Sequence, residues 1–177
     1  MTLQRYLACL LAAGSTLLAS QLSYADTLNL NVRGEFYNAT CGFLVNGGRD
    51  VDLGKVNINA FIGTGHIYRP WTSFNITSTG CTPATTSVNM SWRGTQDPDG
   101  RDFAVTGGAT GVAVIIHSER GANGGSTRIA PNGAAHTWLP GMSAGDLYPH
   151  RATFIQTLPT VTEGAASAAI TIDITYN

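Results

Sequence analysis

Positive charge is scarce in this 177-residue chain. Lys55 is the only lysine and the arginines stand singly, so ten basic residues nearly balance eleven acidic ones. Nucleic-acid binding needs clustered cations to displace counterions from phosphates, and a polybasic hold on a membrane surface needs the same clustering. Neither class fits, so no nucleic acid and no direct membrane span is expected. Beyond residue 25 no hydrophobic run approaches the roughly 20 residues that cross a bilayer. Catalytic patterns are missing too. His66, His117, His136 and His150 are widely spaced and show no HExxH or His-x-His arrangement. They read as surface or loop histidines, and no metal is expected. No serine or cysteine sits in a nucleophile motif. Gly107, Gly108 and Gly111 form a glycine-rich fragment without a following helix or a P-loop lysine, which reads as a turn before a strand. Ser118-Glu119-Arg120 and Asp97-Pro98-Asp99 lie in turn-like contexts where charges are solvated. The expectation is therefore a protein that is not an enzyme, with no catalytic residues and no cofactor.

What is present begins with an export signal. Arg5 gives a positive start, residues 6–18 are mostly apolar, and Ser23 and Ala25 place small residues where a signal peptidase reads. Cleavage after Ala25 removes residues 1–25; the other reading is a retained N-terminal anchor. Cys9 leaves with the signal, so Cys41 and Cys81 remain. An even count in an exported protein favours a disulfide over free thiols or metal ligands. Closing a loop of about 40 residues, it would contribute roughly 3 to 4 kcal/mol if unstrained.

Short alternating segments then follow one another between turn signals. Residues 35–40 lead into Cys41, residues 51–56 alternate with Gly54 as a bulge or close approach, and residues 73–77 end near Cys81. In residues 88–92, Val88, Met90 and Trp92 share one face. Residues 112–116 are continuously apolar and predict a strand covered on both faces. Residues 120–135 predict turns and loop around a short strand at 127–129, and residues 151–156 predict a strand with Ala152 and Phe154 on one side. No 3.6-residue period persists. Short strands at this spacing predict an all-β sandwich of immunoglobulin type in a single domain, residues 37–177.

The two ends are unusual. Over residues 27–36, Leu28, Leu30, Val32, Gly34 and Phe36 fall on one side of an extended chain, and Asn29, Asn31, Arg33 and Glu35 on the other. After signal removal this arm, residues 26–36, would be a free N-terminus. Over residues 165–176 the even positions Ala166, Ala168, Ile170, Ile172, Ile174 and Tyr176 are apolar, and only Asn177 follows. The sheet would end on an unprotected apolar edge, which aggregates unless something covers it.

A spare strand at the front and a bare edge at the back, with an ordered series of smaller pieces, resemble the pilin subunits of the chaperone–usher fimbriae of Gram-negative bacteria, the type 1 and P-pilus-like family. The pieces are the arm Leu28-Asn29-Leu30-Asn31-Val32-Arg33-Gly34, the strand into Cys41, and Val51-Asp52-Leu53-Gly54. Cys81 follows Phe74-Asn75-Ile76; then come residues 88–94 ending in Trp92-Arg93-Gly94, and Gly111-Val112-Ala113-Val114-Ile115. Gly164 is fourteenth from the end and Tyr176 penultimate. No single piece is specific; the ordered set is.

The resemblance implies an incomplete immunoglobulin-like sandwich lacking its final strand. A periplasmic pilus chaperone would first fill the resulting groove, and at the outer-membrane usher the arm of the neighbouring fimbrial subunit would replace it. Leu28, Leu30, Val32, Gly34 and Phe36 would be the donor residues. Gly164, Ile170, Ile172, Ile174, Tyr176 and Asn177 would form the acceptor groove and chaperone contact. The product would pass through the periplasm to a cell-surface fimbrium supporting adhesion. Only eight residues precede Gly34, a short arm shared with minor or tip-proximal subunits, and the length is expected to exclude a second, lectin domain. The alternative is a secreted monomeric sandwich that binds sugar or protein, with Trp71, Trp92, Trp138, Tyr68 and Tyr148 as stacking surfaces.

Overall fold

The computed structural model describes residues 41–80, 87–119, 126–138 and 147–176. All lie in the second of the two units into which the chain divides, Tyr37–Asn177. Among them are nine strands and no α-helix: β1 (Gly42–Val45), β2 (Thr72–Thr79), β3 (Val88–Gly94), β4 (Phe103–Ala104), β5 (Val112–Ser118), β6 (Thr127–Ile129), β7 (Asn132–Trp138), β8 (Leu147–Gln156) and β9 (Ile170–Tyr176). Only two short 3-10 turns, Asn46–Gly48 and Ile58–Ala60, interrupt the extended chain.

The strands form two antiparallel sheets, one in the order β1-β2-β8-β5-β4 with β6 also on β5, the other β7-β3-β9. One core joins them, so the expected all-β sandwich is what forms. Period-two alternation explains which residues reach that core. Phe74 and Ile76 of β2, Val114 and Ile116 of β5, and Ala152 and Phe154 of β8 meet Val88, Met90 and Trp92 of β3 and Trp138 of β7. Strand β5 is buried along nearly its whole length. Its other face, with Ala113 and Ile115, packs with Ile155 beneath Ile67 and Trp71. That is why residues 112–116 carry no polar alternation.

Several local expectations need correction. Residues 132–135 are not loop but the start of β7, the edge partner of β3, with Trp138 buried at its end. The glycine and asparagine content hid it, since Asn132 and Gly133 belong to a strand whose register with β3 shifts between Ser91 and Arg93. Gly54 is neither a ladder bulge nor a close approach. It has φ +74° with open space around it, and its N–H donates to Asp52 Oδ1 at 2.8 Å, a local turn. In the Asp97-Pro98-Asp99 turn Asp99 is exposed as expected, but Asp97 is not solvated. Buried Asp97 accepts through Oδ1 from the backbone N–H groups of Arg101 and Asp102, at 2.9 and 3.0 Å. Asp102 is buried as well and is bound by the Arg128 guanidinium through Nε at 2.8 Å and again through a terminal nitrogen. Burial pushes the Asp102 carboxyl up, and Arg128 opposes that rise. Nor are the histidines all peripheral: His117 is on β5, His136 on β7, and His150 lies in the core.

Cys41 is disulfide-bonded. Cys81 lies outside the described residues, as do residues 1–40 and Asn177.

Candidate functional site

The site is built on β9. Seven consecutive residues of β9 pair with β3, from Gly94 opposite Ile170 to Val88 opposite Tyr176. Among the described residues no strand pairs with its other edge. Burial along β9 alternates as the sequence demands, with Ile170, Ile172, Ile174 and Tyr176 on the core side and Thr171, Asp173 and Thr175 exposed. The core-side residues are only half-buried, whereas Val88, Met90 and Trp92 on the neighbouring strand are fully buried. On the outer face Arg93 Nε lies 2.7 Å from Asp173 Oδ2. Exposed pairs of this kind contribute less than about 1 kcal/mol, so the register is set by the isoleucine row.

The opposite wall was not foreseen. Residues 51–57 run extended with no ladder assigned to them, yet Val51, Leu53 and Val56 pack half-buried against the same core as β9. The alternation Val51-Asp52-Leu53 was the available signal, but it was read as an ordinary strand. A cavity of about 490 Å³ lies against the strap that precedes β9. Val56, Ile58 and Phe61 line it together with Gly164, Ala165 and Ala166, and with Val112 and Phe154. At the far end, Tyr176 packs against Phe43 of β1, ring centroids 6.0 Å apart.

Gly164 has a steric reason. The strap of residues 160–167 crosses the segment 106–111, bridging Gly108 to Ala165 and Thr106 to Ser167. A Cβ on Gly164 would overlap the backbone of Gly108 and Ala109, and one on Gly111 would overlap the Thr160 carbonyl. Glycine alone permits this approach, which seats the start of β9 and shapes the cavity mouth.

The structure places Ile170, Ile172, Ile174 and Tyr176 along one edge, and Gly164 in the strap before it, where it lines the cavity. Asn177 and the arm residues Leu28, Leu30, Val32, Gly34 and Phe36 lie outside the described residues. Of the aromatic residues considered as stacking surfaces, Trp92, Trp138 and Tyr148 are buried in the core. Trp71 is covered by Arg151, whose guanidinium carbon stands 4.7 Å from the ring centroid. Among the described residues no three His, Cys, Asp or Glu side chains come together as a metal site requires.

No curated protein matches the chain by sequence. Among solved structures, the fold is similar to that of the P pilus rod subunit PapA, with a TM-score of 0.63 and 18% identity over 84% of this chain and 99% of that one. It is also similar to part of the CupB6 tip adhesin from Pseudomonas aeruginosa, with a TM-score of 0.57 and 19% identity over 69% of this chain and 35% of that one. A family model described as Fimbrial protein matches residues 30–177, and with a match over that much of its length the chain belongs to the fimbrial protein family.

Proposed function

We propose that this protein is a structural, non-enzymatic subunit of a chaperone–usher fimbria that polymerises by donor-strand exchange and supports adhesion. The observation that carries the proposal is the half-buried row Ile170, Ile172 and Ile174 on a β9 edge with no strand partner among the described residues, ending at a cavity. An edge of that composition needs an occupant, and strand addition is the mode established for chaperone–pilin pairs. The periplasmic chaperone would occupy it first, reaching the edge out to Tyr176 and Asn177, and at the outer-membrane usher the arm of a neighbouring subunit would replace it. Residues 1–25 would be lost on export, and Cys41 would pair with Cys81. The short arm favours a minor or tip-proximal position in the fibre.

The arm suits the groove in length and direction. From Leu28 to Phe36 an extended chain covers about 27 Å, and residues 166–174 of the acceptor cover the same distance at about 3.4 Å per residue. Phe36, the largest donor side chain, would fill the cavity beside the strap that precedes β9. That places the arm antiparallel to β9, the orientation of every ladder between the named strands. Burying Leu28, Leu30, Val32 and Phe36 contributes about 6 to 12 kcal/mol, from which the cost of ordering the arm is subtracted.

The test is to produce the mature chain with and without residues 27–32. The intact chain should form polymers that the shortened chain does not, and the shortened chain should bind an added peptide of residues 26–36. Equal polymerisation by both chains would refute strand donation.

A further inference from the structure

Exposed apolar side chains lie on or next to the segments that line the cavity. Ile62 is 83% exposed, Leu158 45% and Ile58 40%. None of the three sits on loose chain. The buried side chain of Gln156, at the end of β8, accepts from the Gly63 N–H at 2.7 Å and donates to the Leu158 and Pro159 carbonyls at 2.8 and 3.2 Å. One amide therefore clamps the loop bearing Ile62 beside the loop bearing Leu158. Backbone bonds reinforce both loops, from Gly65 N–H to the Gln156 carbonyl at 2.7 Å and from Thr157 N–H to the Gly111 carbonyl at 2.8 Å. Ile58 begins a 3-10 turn capped by Asn57, whose side chain accepts from the Asn59 N–H. Exposed apolar side chains grouped on a held backbone are the kind of surface a partner covers, and little further ordering cost is due when something covers them.

We infer that Ile58, Ile62 and Leu158 form a second subunit contact, covered, when this chain polymerises with itself, by the folded body of the copy whose arm occupies the adjoining groove. The inference rests on the strand-donation reading, and it adds a body-to-body interface to the strand itself. The occupant follows from chain length. With Phe36 in the cavity, only residues 37–40 separate the arm from Cys41, which leads directly into β1 of the donor's own domain. Five residue steps reach at most about 17 Å. The donor's body is thus tethered at the cavity mouth, where Ile58 lines the cavity and Ile62 and Leu158 flank Gln156.

The experiment uses Ile62→Cys and Leu158→Cys variants of the mature chain. Each thiol is labelled with a maleimide in monomer and in polymer. Both positions are exposed, so the variants keep the fold. Labelling is expected to slow at least about tenfold on polymerisation, as it does when a side chain enters an interface core closed to water. Polymers whose thiols label at the monomer rate would overturn the second contact while leaving strand donation intact. Failure of the unsubstituted chain to polymerise would overturn strand donation and, with it, this contact.

Discussion

His150 makes a prediction that depends on the fold alone. It is 1% exposed and surrounded by aromatic rings, with centroids 5.4 Å from Phe74, 5.1 Å from Trp92 and 5.6 Å from Trp138. Nδ1 lies 2.7 Å from the Tyr148 carbonyl, which only accepts, so Nδ1 carries the proton and Nε2 is the bare nitrogen. Nε2 has no hydrogen-bond partner among the described residues. Protonating it would place an unpaired charge among rings. Burial accordingly pushes the imidazole down to about 4, with His136 adding to the fall and the Tyr148 carbonyl opposing it. The depressed group binds its proton less readily in the folded state than in the unfolded one. Its contribution to stability is therefore complete above about pH 6.5 and is lost as pH falls toward 4. Between pH 7.5 and 4.5 the loss from this one residue is about 2.5 kcal/mol, at 1.36 kcal/mol per pH unit. The perturbation is His150→Phe, which keeps a ring in the cage and removes the titration. Denaturant unfolding of both proteins is followed by tryptophan fluorescence at the two pH values, since Trp92 and Trp138 report from the site itself. The wild type should lose about 2.5 kcal/mol more than the variant on acidification. Parallel losses in the two proteins would refute the reasoning, because the remaining titrating groups are common to both.

Gly164→Ala should destabilise the domain by at least about 2 kcal/mol in thermal unfolding, since the added methyl group meets the fixed backbone of Gly108 and Ala109. Asp102→Ala leaves Arg128, with its side chain 25% exposed, beside an empty buried position, and should cost about 3 kcal/mol in denaturant unfolding. Asp102→Asn, which keeps hydrogen-bonding capacity, should cost less. In the arm, Phe36→Ala should weaken binding of a peptide of residues 26–36 to the groove by about 3 kcal/mol, roughly two decades in Kd. Leu28→Ala, placed away from the cavity, should cost about half as much when titrated the same way.

Period-two alternation made β3, β5 and β9 legible, because each buries alternate or all positions under a simple packing rule. Val88, Met90 and Trp92 face the core, and residues 112–116 are enclosed on both sides. Strand β7 was not legible. Its partner β3 is distant in sequence, and Asn132, Gly133 and Thr137 carry no apolar row of their own. Asp97 departs from expectation because turn composition does not reveal that its Oδ1 is taken by the N–H groups of Arg101 and Asp102. His150 was misplaced for the same reason: its ring partners come from β2, β3 and β7. At the candidate site, one wall could be read from the isoleucines of β9. The other, residues 51–61, alternates like any strand, and only the cavity it shares with residues 161–166 shows what it borders.

The start of β9 is pinned by glycine-only backbone contacts to the segment before β5, and its end is braced by Tyr176 against Phe43 of β1. Such a strand behaves like a bowstring tied at both nocks. In the proposed strand exchange, the spacing between seats along its unpaired side would be decided before any guest is present. A visitor displaced by one residue would turn every apolar side chain outward at once. Correct pairing would therefore be judged over the whole span together, and a near-fit would gain almost nothing.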